Sequence, residues 1–371
     1  MRSGKYCRTM IIAAALLWLP SAGAAARALD EAHGLTWQLI EQKMKDLRIP
    51  GVQVAVIRGD RIVLSESYGF ANIENRVPVT SATLFPINSA TKSFTGVATM
   101  QLVEAGLVDL DAPVSRYLKD LPEAWRGIRI RQLLGHTSGL PDIVDQEGLI
   151  GDGSELSAWD AVKDLPMDTV VGAQFSYNQT NYGLLAQIIS KHTNMPYEKY
   201  IAEHQFVVAK MSLSTFGDSD DLVPNSATIY ATTPRGTLAP DDGNRLSKWI
   251  YEMPYSLWAG GGIQTTAEEL ALWLLAFSNS RLINHVNVQK MWVPEKLNSG
   301  VDSDWAARWP VLQASPHRVV AGVGGARAAF FVYPDDGLSI VVLTNLAGAN
   351  PQRFIPQIAE FYKSVQPPGS Q

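Results

Sequence analysis

Alternating strand patterns lie near both ends of the chain, with mainly helical patterns between them. Val52, Val54 and Val56 alternate with Gln53 and Ala55, Gly59-Asp60 makes a turn, and Arg61 to Tyr68 returns as a second strand. Near the other end Ala328 to Tyr333 reads as a strand, Pro334-Asp335-Asp336-Gly337 as a turn, and Leu338 to Leu346 as an apolar strand. A lone hairpin is at best marginally stable in water. The two ends are therefore expected to meet in one antiparallel sheet, with the middle of the chain inserted between them.

The remaining periodicity supplies the layers around that sheet. Trp37, Ile40, Met44 and Leu47 predict a helix over Leu35 to Leu47, ended by Pro50-Gly51. Ser93 to Ala105, Asn181 to Lys191, Tyr197 to Glu203 and Ala267 to Phe277 carry helical spacing. Thr266 and Glu269 are placed as a capping box for the last of these. Asn350-Pro351 opens a final helix reaching about Lys363. The expected fold is an α/β sandwich: an antiparallel sheet flanked by the terminal helices, with a helical region of about residues 86–280 inserted. The functional site falls in the cleft between sheet and helices.

Composition bounds the function. Of 371 residues 46% are hydrophobic, as in a globular protein, and 31 Lys and Arg stand against 36 Asp and Glu. A net charge of -5 argues against a nucleic-acid partner, which needs a basic face. The expected partner is a small-molecule or peptide substrate. Arg2, Lys5 and Arg8, the apolar run Met10 to Leu19, Pro20 and the small residues Ala22-Gly23-Ala24 have the layout of a secretory signal peptide. An uncleaved anchor is the alternative, although the run is short for one. Residues 1–24 are thus read as a leader and 25–371 as one domain, bacterial and periplasmic or secreted, with no stable membrane span after cleavage. The single cysteine, Cys7, leaves with the leader, so no disulfide or thiol nucleophile is expected. The six histidines at positions 33, 136, 192, 204, 285 and 317 lack metal-ligand spacing, and neither metal nor cofactor is expected.

Several catalytic signatures are missing: no G-x-S-x-G elbow, no phosphate-binding P-loop and no H-E-x-x-H helix. Ala259-Gly260-Gly261-Gly262 reads as a tight turn. Ser89-Ala90-Thr91-Lys92 is an S-x-x-K sequence, with the serine where a helix pattern begins and the lysine on the same face. Backbone N–H groups at a helix start stabilise an alkoxide or oxyanion, and a neighbouring lysine can accept the serine proton. A capping serine followed by a solvated lysine has the same spelling. Tyr177-Asn178-Gln179, opening the helix from Asn181, sets a tyrosine beside two amides; it reads as a proton relay or as an aromatic plug with capping amides. His136-Thr137-Ser138-Gly139-Leu140-Pro141 follows a helix stop and reads as structural, because His136 and Ser138 are too close in sequence for an ordinary triad. Gly324-Gly325 leads into the strand from Ala328, and glycines at a strand edge admit a ligand or backbone closely.

The order of these phrases resembles the serine β-lactamase and penicillin-recognising family, especially its class C-related esterase and D-peptidase branch. The resemblance runs from Val52 to about Phe361 and implies that family's α/β sandwich with a helical subdomain. It implies Ser89 as nucleophile, Lys92 as its partner, and Tyr177 as the general base that returns the proton to the leaving group. Gln179 stands where the family has asparagine, and an amide there orients lysine and substrate. The Ser89 and Gly325 backbone N–H groups correspond to the oxyanion hole. The third motif, Lys-Thr-Gly or His-x-Gly in the family, is Gly322-Val323-Gly324 here. By strand alternation Arg327 and His317 fall on the opposite face from Gly322, so neither is an obvious replacement for the missing cation; the competing reading is that Arg327, brought in through a bulged strand, fills the role. The implied activity is an exported serine hydrolase forming an acyl-enzyme on an ester or amide, with esters favoured over β-lactams. The alternative is a catalytically weakened, penicillin-binding-like protein that binds a peptidoglycan-type or other ligand.

Overall fold

Residues 22–232, 245–306, 309–313, 317–363 and Val365 are described by a computed structural model. The expected leader lies almost wholly outside these residues. The two sequence ends meet at the middle of the sheet. In chain order its strands are β1 (Gly51–Arg58), β2 (Arg61–Asn72), β3 (Val77–Pro78), β4 (Pro294–Lys296), β5 (Asp302–Ala306), β6 (Trp309–Gln313), β7 (Val319–Gly324), β8 (Ala328–Tyr333) and β9 (Leu338–Thr344). Among the described residues they form one nine-stranded antiparallel sheet in the order β3-β2-β1-β9-β8-β7-β6-β5-β4. Val54 pairs with Val342 and Val56 with Ile340, so the first and last strands of this sheet in chain order are direct neighbours.

Alternation along these strands feeds two cores. Val52, Val54, Val56, Phe331, Ile340 and Val342 face helices α1 (Ala22–Leu47) and α5 (Ile355–Lys363). Ala55, Ile57, Phe330, Val332, Val341 and Leu343 face the inserted helical layer. That layer includes α2 (Lys92–Glu104), α3 (Thr180–Thr193) and α4 (Ala267–Ser278), where Phe94 stacks on Trp273 with centroids 4.1 Å apart. Burying a side chain of this size contributes about 1.5–3 kcal/mol. Gln53, polar within β1, is buried but satisfied: its amide donates to the Thr80 and Thr83 carbonyls and accepts from the Ala267 N–H. It ties the sheet to the first turn of α4, where Thr266 caps the Glu269 N–H; the Glu269 carboxylate, instead of closing the expected box, accepts from the Leu213 N–H and the Ser214 hydroxyl.

Several elements depart from the sequence reading. Helix α1 starts at Ala22 rather than Leu35, its early turns spelled by alanines of high helix propensity. Strands β4 to β6 were not anticipated; they are short, and their pairings with neighbours shift register. Ala259 to Gly262 is no simple turn, because Trp258–Gly261 forms one turn of helix against the site. Ser89 does not begin α2; it lies in a 3₁₀ turn, Asn88–Thr91, that leads into it.

Candidate active site

Ser89 is placed by two pieces of backbone. Phe85–Pro86 pairs antiparallel with Ile263–Thr265, and the Ile87 N–H donates to the Ile263 carbonyl. The chain then reverses through Asn88, whose φ of 44° lies in the left-handed region that asparagine tolerates better than most residues. The last residue of β7 lies directly behind: a Cβ on Gly324 would overlap the Ile87 carbonyl and stand 2.9 Å from the Ser89 nitrogen. Glycine is required there for backbone to approach backbone.

Tyr177, on the loop before α3, donates from its hydroxyl to Ser89 Oγ at 2.8 Å. Lys92, one turn of chain after Ser89, is 1% exposed. Its ammonium does not bond Ser89. It donates to Gln179 Oε1 at 2.8 Å and to the Gly260 carbonyl at 2.9 Å, and it lies 4.7 Å from the Tyr177 ring centroid and 5.1 Å from that of Tyr182. The extra methylene of Gln179 thus does not separate its amide from the lysine. Among the described residues no carboxylate pairs with Lys92; Asp142 acts on it from further off. Burial raises the Asp142 pKa, against the opposing pull of hydrogen bonds led by the Gln179 N–H at 2.8 Å.

His136, from the phrase read as structural, forms the wall behind Tyr177 together with Trp305 and Phe175. The His136 ring lies 4.4 Å from the Tyr177 ring and 5.1 Å from Tyr182, and Trp305 and Phe175 stack beside it. His136 Nδ1 accepts from the Asn178 N–H, and burial followed by the Lys92 charge holds its pKa well below the usual value, so the ring is neutral. Ser138 is equally buried, donating to Asn181 Oδ1. Sequence reasoning assigned no site role to His136, Trp305, Phe175 or Gly260. The HTSGLP phrase and the glycine run marked two of them, but their distance from Ser89 in the chain concealed the contact.

The third-motif strand holds the main surprises. Gly322 pairs with Phe330 across β7 and β8, and a Cβ at 322 would overlap the Phe330 ring. The place of a motif side chain is filled from the neighbouring strand. Arg327 departs from the expected alternation. Gly325 and Ala326, with φ of 55° and 53°, turn the chain so that Arg327 Nε donates to Asn88 Oδ1 at 3.0 Å, beside the nucleophile turn. His317 is indeed remote, 3.3 Å from Asp336 at the other end of the strand. Among the described residues the Gly325 N–H donates to no protein acceptor. Also among them, no cluster of three or more His, Cys, Asp or Glu side chains could hold a metal, and no helix is long and apolar enough to cross a membrane.

Sheet, helical layer and the phrases between them define the class first: the fold is that of the serine β-lactamases and penicillin-binding proteins. The chain belongs to the Beta-lactamase family, whose model matches residues 37–360. Among its relatives are Protein flp of Staphylococcus aureus strain MW2, 30% identical over 48% of this chain and 37% of that protein, and Penicillin-binding protein 4* of Bacillus subtilis strain 168, 27% identical over 73% of this chain and 62% of that protein. The chain therefore spans less than two thirds of either relative. The crystal structure of a penicillin-binding protein from Bacillus halodurans superposes with a TM-score of 0.72 at 26% identity, covering 86% of this chain and 98% of that one.

Proposed function

We propose that the protein is an exported serine hydrolase of the class C-related type that forms an acyl-enzyme at Ser89 and prefers uncharged esters to β-lactams. The hydrogen bond between Tyr177 and Ser89, beside the buried Lys92, carries this reading. For the reaction Tyr177 first gives up its own hydroxyl proton; the Ser89 proton then passes to the freed tyrosine oxygen as Oγ bonds the substrate carbonyl carbon. The oxyanion that forms is held by the Ser89 and Gly325 N–H groups. On collapse the bond to the alcohol or amine breaks, and the leaving group departs with the proton from Tyr177. Water then attacks the acyl carbon by the same route, releasing the acid and restoring Ser89. Gln179 orients Lys92. The leader 1–24, the single domain 25–371 and the periplasmic or secreted location belong to the same proposal.

The preference for esters follows from Gly322. A cation there would give a substrate carboxylate a charge-assisted hydrogen bond of about 1.5–3 kcal/mol, roughly a ten- to hundredfold factor in rate. Phe330 occupies that space instead. The kcat/KM values for a p-nitrophenyl ester and for nitrocefin decide the matter, with Ser89→Ala expected to abolish both activities and fluorophosphonate labelling. Efficient nitrocefin turnover without ester cleavage would overturn the preference. The bare third motif also favours a second reading, a weakened penicillin-binding-like protein, which would be labelled at Ser89 yet turn over neither substrate.

A further inference from the structure

Arg327 is 3% exposed, yet no Asp or Glu pairs with it among the described residues. Among the described residues its hydrogen-bond acceptor is Asn88 Oδ1, and its guanidinium carbon lies 4.8 Å from the Tyr251 ring centroid. Burying a guanidinium without a counter-ion is costly, and desolvation lowers its pKa to about 10. The surroundings hold it in that position. The Arg327 carbonyl accepts from both the Thr344 N–H and its hydroxyl, the Arg327 N–H donates to the Gly324 carbonyl, and the Ala326 carbonyl accepts from the Asn350 N–H. On the other side, a Cβ at Gly325 would stand 2.7 Å from Asn88 Oδ1, so the asparagine side chain is packed against this turn. The residue so gripped immediately precedes Ser89 and has the left-handed φ that aims it.

The geometry points to Arg327 as a positioning residue: packed against Tyr251, it clamps the Asn88 side chain, holds the backbone reversal before Ser89, and so aims the nucleophile at Tyr177 without touching substrate. This rests on the serine-hydrolase reading above. Its alternative is a contact between the guanidinium and an anionic group of the substrate.

Two probes separate these roles. A fluorophosphonate is neutral, and Ser89 Oγ would bond its phosphorus as fluoride leaves; a fluorescent penicillin carries a carboxylate. Arg327→Met is expected to lower the maximal labelling rate at least tenfold with both probes, while the half-saturating concentration stays within about twofold. Asn88→Ala breaks the same bond from the other side and should reproduce that loss, which keeps the test valid if Arg327→Met fails to fold. Glycine adopts a positive φ without a side chain to hold, so Asn88→Gly should label within about threefold of wild type, and adding Arg327→Met to it should cost nothing further. A loss confined to penicillin, an undiminished loss in the Asn88→Gly background, or an Arg327→Met variant labelled at the wild-type rate would each overturn the clamp. Wild-type protein that takes up neither probe would overturn the serine-hydrolase reading and the clamp with it.

Discussion

At position 260 a side chain would press on the site. A Cβ there would stand 2.5 Å from Gln179 Oε1 and 3.1 Å from Lys92 Nζ, the two atoms that meet each other across the site. Both are tips of flexible side chains, so Gly260→Ala should disturb geometry more than stability. Alanine also favours a helical turn by about 0.5–1 kcal/mol over glycine. The expected result is at least a tenfold slower fluorophosphonate reaction with a melting temperature within a few degrees of wild type; wild-type labelling kinetics would remove Gly260 from the site. His136 supports a different measurement. An unfolded histidine has a pKa of about 6.5, whereas burial keeps the folded ring from taking the proton. Below pH 6.5 the unfolded chain binds a proton that the folded chain refuses, so this residue's contribution is full above that value and falls with decreasing pH by about 1.4 kcal/mol per unit. Urea denaturation between pH 7.5 and 5 should show this slope, reduced by about one proton in His136→Gln. Identical slopes in the two proteins would contradict the assignment.

Strands β7 and β8 explain why this site departs from the pattern its order suggests. Gly322 faces Phe330, and the buried Phe330 ring meets the Trp309 ring edge-on at 5.1 Å, so the phenyl is packed on a second side as well. Gly322→His alone should therefore overpack the sheet and cost about 1–3 kcal/mol, whereas Gly322→His with Phe330→Ala should recover part of that loss. Thermal melts of the three proteins test this, and a single variant as stable as wild type would show that the ring yields easily. The terminal hairpins and the capped helix from Ala267 were legible because period and turn chemistry act locally, whereas the phrases carrying Ser89 and Tyr177 stood out only through the order of motifs shared with the family. The strands between Pro294 and Gln313 were not legible, since short edge strands with shifted register leave no period to read. Arg327 was misplaced because alternation was carried through Gly325 and Ala326, and nothing about an alanine announces a positive φ. The obstruction by Phe330 and the aromatic wall of His136 and Trp305 arise only from register and packing between distant segments.

The molecule as a whole is closed by its ends. Helix α5 buries Ile355, Ile358 and Tyr362 against the outer face of the sheet, and Thr36 of α1 donates to the Tyr362 hydroxyl at 3.3 Å. Three such side chains contribute roughly 1.5–3 kcal/mol each, comparable with the whole stability of a typical domain, about 5–15 kcal/mol. Deleting residues 355–371 should therefore abolish the cooperative melt followed by circular dichroism, although no residue of the Ser89 cleft is removed. A truncated chain that melts cooperatively near the wild-type temperature would show that the inserted core suffices. Pairing β1 with β9 also sets an order in time. A ribosome releases β1 early and must then make every residue from 59 to 337 before the first residue of its partner exists. The middle of the sheet is thus the last part to be completed, and folding of this enclosing layer has to wait for translation to be nearly over.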